Sequence, residues 1–170
     1  MDILHNSDNP PTAQEVSNEH QSITNNITTI LDNNNRLEWD HYFISIALLA
    51  SKRSTCSRLN VGCVITKDNR ILSTGYNGFL RGAPHISRIV NNHEQFTVHA
   101  EQNAICDAAY RGVPLRSSLA YITHYPCLTC LKLLIAAGLS EIKYLHDYKN
   151  DPLNAEMVNE NNIKLIQLKV

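Results

Sequence analysis

Large apolar residues are sparse over the first 37 positions and frequent after them. The opening segment carries eight asparagines, several serines and threonines, and the Pro10-Pro11 pair. Such a stretch buries too little surface to offset the entropy of ordering it, so residues 1–37 are predicted to be a disordered extension, with a short helix over 23–31 as the exception. From Glu38 the pattern changes. Trp39, Tyr42, Phe43, Ile46, Ala47 and Ala50 recur at three- and four-residue steps, which predicts a helix with one apolar stripe. The β-branched run "VGCVIT" (61–66), the turn-like Lys67-Asp68-Asn69 and "RILSTGYN" (70–77) predict a β-hairpin. Residues 78–98 bear glycine and histidine and show no period. A helix is predicted from His99 to about Tyr110, stopped by Gly112 and Pro114. "LAYIT" (119–123) reads as a strand, Cys127 to Ala137 as a helix closed by Gly138, and "EIKYL" (141–145) as a strand. "HDYKNDP" after that strand reads as a turn, and a helix over about 152–160 and the strand "IKLIQL" complete the chain. Strands alternating with helices predict an α/β domain over residues 38–170, with parallel pairing and helices on both faces.

Composition narrows the function. Fifteen basic and sixteen acidic side chains in 170 residues give a formal net charge of -1, so no overall positive field recruits nucleic acid. No run of 18 apolar residues predicts a membrane span. The first residues lack the cationic-then-apolar order of a secretory signal, so a cytoplasmic location is expected and the Asn26 sequon is expected to stay unmodified. Five cysteines, an odd number, then point to metal ligation or buried thiols rather than disulfides.

Two of them sit in "PCLTC". Cys127 and Cys130 are spaced i and i+3, so both thiols leave one face of a helix's first turn. Pro126 suits that entrance, and the partial positive charge of a helix start favours thiolates. Zinc wants four ligands, or three and a water. The third candidate is His99 in "VHAEQNA", followed two residues later by Glu101 at the start of another predicted helix. His99, Cys127 and Cys130 would leave one position open, as in a catalytic zinc site, and zinc lowers the pKa of a water bound there. Glu101 is then read as the group that carries protons, not as a fourth ligand. Cys63 and Cys106 are read as small buried hydrophobes. His124 flanks the site, with packing as its default role.

His-x-Glu followed by Pro-Cys-x-x-Cys is the signature of zinc deaminases. Together with "WDHYFISIALLASKRSTC", "VGCVI", "GYNGF" and "YITHYPCLTCLKLLIAAG", it makes residues 38–150 resemble the cytidine and deoxycytidylate deaminase superfamily, the dCMP deaminase branch most of all. The resemblance implies a three-layer α/β/α sandwich around a five-stranded mixed sheet, with the active site at two helix N-termini. It implies hydrolysis of dCMP to dUMP and ammonia, with Glu101 moving the protons. Asn77 matches the position that bonds the sugar hydroxyl, though Asn-Gly also favours a turn. Ala100 is expected to offer backbone groups to the base, and Tyr125 to pack on base or sugar or else in the core. An arginine on the His99 helix reads the phosphate in phage relatives; Tyr110 aligns there, so Arg111 is the candidate. Many relatives hold a second, structural zinc, for which Cys56, His85 and His93 remain here. Relatives are often hexamers, activated by dCTP and inhibited by dTTP, so a homo-oligomer is expected. A tRNA adenosine deaminase shares both motifs but would favour a basic surface, and a zinc-stabilised module without catalysis would need no Glu101.

Overall fold

The structure is a computed structural model, in which residues 36–56, 58–90, 93–148 and 150–169 are described. The disorder and the short helix expected before position 36 lie outside the described residues. A division of the chain falls between Arg36 and Leu37, and the unit from Leu37 onward holds the helices and strands that follow.

Helix α1 spans Trp39–Ser51. Its buried side is Phe43, Ile44, Ala47 and Ser51, whereas Trp39 and Tyr42 stay partly exposed. The stripe is thus rotated from the one the spacing predicts. Trp39 stacks on Phe43 along the helix edge, ring centroids 5.5 Å apart, so the aromatic residues shelter one another there. Strands β1 (Gly62–Lys67) and β2 (Arg70–Tyr76) form the predicted hairpin. Asp68 and Asn69 turn it with φ of 50° and 56°, the pair of positive values that a two-residue hairpin turn matched to strand twist requires. The segment without a period folds into two short ladders. Strand β3 (Gly78–Phe79) pairs with β6 (Thr97–Val98), and β4 (Ile89–Val90) with β5 (His93–Glu94).

Helix α2 (Ala100–Arg111) ends at Gly112, φ 68°, and is followed by β7 (Leu119–His124) and α3 (Leu128–Ala136). Strand β8 (Glu141–His146), α4 (Pro152–Glu160) and β9 (Lys164–Gln167) close the domain. The five-stranded sheet runs β2-β1-β7-β8-β9. It is mixed: β1 pairs antiparallel with β2 and β7, while β7–β8 and β8–β9 are parallel. Alternation along β1 separates two cores. Cys63 and Ile65 face Ala100, Ala104 and Ala108 of α2 and Leu131 and Leu134 of α3, whereas Val64 faces Phe43, Ile44 and Ala47 of α1. These are the three layers expected.

Two glycines let helices lie against the sheet. A Cβ on Gly62 would fall 1.9 Å from the Ala47 carbonyl oxygen, and one on Gly75 would fall 2.2 Å from that of Ala100. The second contact seats the first turn of α2, so it sets the depth at which His99 and Glu101 sit over the sheet. On the other face, Asp40 in the first turn of α1 accepts from Tyr121 Oη of β7 at 2.7 Å and from Lys143 Nζ of β8 at 2.7 Å. Burial alone would push the Asp40 carboxyl up, but the hydrogen bonds from Lys143 and Tyr121 outweigh it and hold it below the usual carboxylate value.

Replacing Gly75 by alanine forces backbone apart and should lower unfolding free energy by about 3 kcal/mol, read by urea denaturation. The depressed Asp40 pKa contributes stability that is complete above the unfolded value and lost as pH falls through the folded one. Asp40→Asn should therefore flatten the acid limb of a melting-temperature profile below about pH 4, whereas the parent loses stability there.

Candidate active site

The histidine lies at the start of α2. His99 is the N-cap residue, extended at φ -70° and ψ 156°, and its backbone N–H donates to Gln102 Oε1 at 3.1 Å. That bond satisfies the main chain and leaves the imidazole to turn outward. Cys127 is the N-cap of α3, at φ -69° and ψ 160°, with Cys130 three residues on. Pro126 enters just before, and its carbonyl accepts from the buried Asn154 Nδ2 of α4 at 2.9 Å, which pins the turn that leads into Cys127.

The two helix starts converge. His99 Nδ1 lies 3.6 Å from Cys127 Sγ and 3.4 Å from Cys130 Sγ, and all three donor atoms fall within 4.8 Å of one another. Bonds of about 2.0 Å to nitrogen and 2.3 Å to sulfur put the N–S edge of a zinc tetrahedron at about 3.5 Å, so the spacing fits that ion. The electrostatics agree. A hydrogen bond from Cys130, with a further one from His99, holds the Cys127 thiol at about 4, so that sulfur is a thiolate. Cys130 keeps the shared proton, and burial and the Glu101 carboxylate push its own value up. The hydrogen bond to Cys127 raises His99. Glu101 is 4% exposed, and burial lifts its carboxyl above the ordinary range, which suits a group that must take up and release protons.

A cavity opens onto this cluster. Its walls include Arg58, Asn77, Glu94, Ala100, Glu101, His124, Tyr125 and Tyr148, together with Cys56, His99 and Cys127. Asn77 and Ala100 thus both line the cavity. The Asn77 amide also fastens the loop before β1, taking Val61 N–H on Oδ1 at 2.8 Å and giving Nδ2–H to Leu59 O at 2.7 Å. Tyr125 lines the cavity and meets Tyr144 edge-on, with centroids 4.9 Å apart.

Arg111 is not brought to the site. It sits in the last turn of α2, bound to Asp107 at 2.7 Å and to the Leu72 carbonyl, at the opposite end of the helix from His99. Of the second metal set, His85 stacks on Phe79 with centroids 5.1 Å apart, Cys56 lines the cavity, and the side chain of His93 lies outside the described residues. Among the described residues, His99, Cys127 and Cys130 form the only such donor group. Cys63 is buried as expected, but Cys106 is exposed. Arg58 and Tyr148 were missed: Arg58 Nη1 donates to Tyr148 Oη at 2.8 Å, joining residues 90 apart in the chain. Arg58 is the one arginine or lysine among the cavity's lining residues.

The family described as the cytidine and deoxycytidylate deaminase zinc-binding region matches residues 37–146. The chain belongs to that family. It is 37% identical over 139 residues to ComE operon protein 2 of Bacillus subtilis, covering 79% of this chain and 74% of that one. It is 39% identical over 153 residues to the deoxycytidylate deaminase of Saccharomyces cerevisiae, covering 77% of this chain but 48% of the yeast protein, so it spans about half of that relative. The dCMP deaminase of cyanophage S-TIM5, solved with dCMP and dUMP, superposes with a TM-score of 0.71 at 26% identity, over 79% of this chain and all of that one. The matched region is a zinc-binding one, and the donor set here is suited to zinc. No helix among the described residues is long and apolar enough to cross a membrane.

Metal content should follow the donors. Cys127→Ser and His99→Ala should each cut bound zinc, measured by atomic absorption after gel filtration, to a small fraction of the parent value, while Glu101→Gln should leave it near one ion per chain.

Proposed function

We propose that this protein is a zinc-dependent hydrolase that converts dCMP and water to dUMP and ammonia, with His99, Cys127 and Cys130 holding the ion and Glu101 as the catalytic acid and base. The observation that carries this reading is a single cavity bordered both by the His99–Cys127 cluster with Glu101 and by the Arg58 guanidinium. The first set suits hydrolysis at a ring carbon, and the second suits a phosphate on the same small molecule. The family match and the deoxycytidylate deaminases among the relatives support it further.

Zinc bound there supplies Lewis acidity, which makes water a nucleophile near neutral pH. The chain supplies the rest. The Glu101 carboxylate takes the proton of the attacking water and gives it to N3 of the cytosine ring as the oxygen adds to C4. The carboxylate then takes the proton of the new C4 hydroxyl and passes it to the amino group, so the C4–N bond breaks, C4 becomes a carbonyl and ammonia leaves. Burial of Glu101 keeps that proton from leaking to solvent. Asn77 holds the wall beside the sugar and keeps one N–H and one lone pair for a hydroxyl. Tyr125 packs against the ligand, and Arg58 pairs with the phosphate. The exposed Leu80, Ile86, Ile89, Val90 and Phe96 support self-association of the chain as a homo-oligomer.

The test is ammonia release from zinc-loaded protein offered dCMP, CMP, deoxycytidine, dCTP and an adenosine-bearing tRNA anticodon stem. Preference for dCMP supports the reading, and release from the tRNA stem alone overturns it. Glu101→Gln should keep its metal and lose about a thousandfold in kcat, the scale of a missing general acid and base.

A further inference from the structure

His124 ends β7 and lines the cavity, half-buried. Its orientation is fixed on three sides. The His146 ring lies 5.2 Å away and the Tyr148 ring 6.2 Å away, the latter at 86° to it. Nδ1 lies 2.9 Å from Thr123 Oγ1.

That last contact decides which nitrogen carries the proton. Thr123 is fully buried, and its oxygen already accepts the Gly62 N–H at 3.1 Å. A hydroxyl has one proton to give, and burying it without an acceptor is costly. Among the described residues, the only acceptor it meets is His124 Nδ1. The hydroxyl therefore donates to Nδ1, and the neutral imidazole carries its own hydrogen on Nε2. Burial, with the neighbouring His146, lowers the affinity of His124 for a second proton and keeps this neutral form. No protein group among the described residues hydrogen-bonds Nε2. The ring is thus a fixed donor on a cavity wall, next to the tyrosine that binds the Arg58 guanidinium.

We propose that His124 is a specificity-determining contact: its Nε2–H, aimed by Thr123, donates to a phosphate oxygen of the nucleoside monophosphate held by Arg58. The contact rests on the nucleotide reading above, since it has a purpose only if the ligand carries a phosphate. Arg58, held by Tyr148, supplies the charge, and His124 adds a second, separately anchored donor. Together they separate a nucleotide from the corresponding nucleoside, which lacks the phosphate.

Calorimetric titration of zinc-loaded protein with dUMP and with deoxyuridine tests this without relying on turnover. The parent should bind dUMP the more tightly. His124→Ala should cut that preference about tenfold, the worth of one hydrogen bond to a charged acceptor. His124→Gln, which can place an N–H near the position of Nε2, should retain most of it. Nitrogen-15 shifts of the His124 ring in the ligand-free protein should report hydrogen on Nε2, and Thr123→Val should abolish that bias. A His124→Ala variant with the parent's preference, or a ring with hydrogen on Nδ1, overturns the proposal and leaves the nucleotide reading intact. A parent that binds deoxyuridine as well as dUMP overturns the nucleotide reading and this contact with it.

Discussion

Two helices begin side by side over the C-terminal end of β7, and almost everything else in the domain serves that meeting. An N-cap residue has extended backbone and a side chain free to leave the helix, so His99 and Cys127 can face each other across the gap. Neither helix start could hold the arrangement alone. Gly75 lets α2 press onto β2, and Asn103 Nδ2 bonds the Tyr76 carbonyl at 2.9 Å to fix its roll. Asn154 secures the Pro126 carbonyl from the opposite side. These contacts bring the three donors within reach of a single ion.

Much of this was legible in the sequence, and the reason is locality. Helix ends are written in adjacent residues: a proline before Cys127, a two-residue gap from His99 to Glu101, and Gly112 and Gly138 after the two helices of the site. The hairpin was legible because Asp68-Asn69 tolerates positive φ between two apolar runs. The layers followed from alternation of strands and helices. What failed were judgements needing distance or facing. Arg111 looked close to the site because it shares a helix with His99, yet ten residues of α-helix beyond Glu101 span about 15 Å. Cys106 looked internal because the segment is alanine-rich, but Ala100, Ala104 and Ala108 take the buried face and leave position 106 outside. In α1 the period was right and the phase was not, since aromatic rings also shelter one another at a surface.

The cavity wall formed by Arg58 and Tyr148 was the least legible part. Arg58 stands among several arginines with no motif to mark it, and "HDYKNDP" carries the composition of an ordinary turn. Only the fold brings their side chains to 2.8 Å. The metal donors are therefore encoded in short patterns, whereas the opposite wall of the cavity is assembled by topology.

The parallel ladder between β7 and β8 sets His124 directly opposite His146. Strand β8 contributes no donor to the ion, yet its register decides where Tyr148 emerges, and through it where the guanidinium of Arg58 is tethered. A shift by a single residue would turn every side chain of β8 to the other face. Length is thus constrained between Gly138 and Glu141, and again after Tyr148, where α4 must still bring Asn154 to the Pro126 carbonyl and β9 must meet β8 in register.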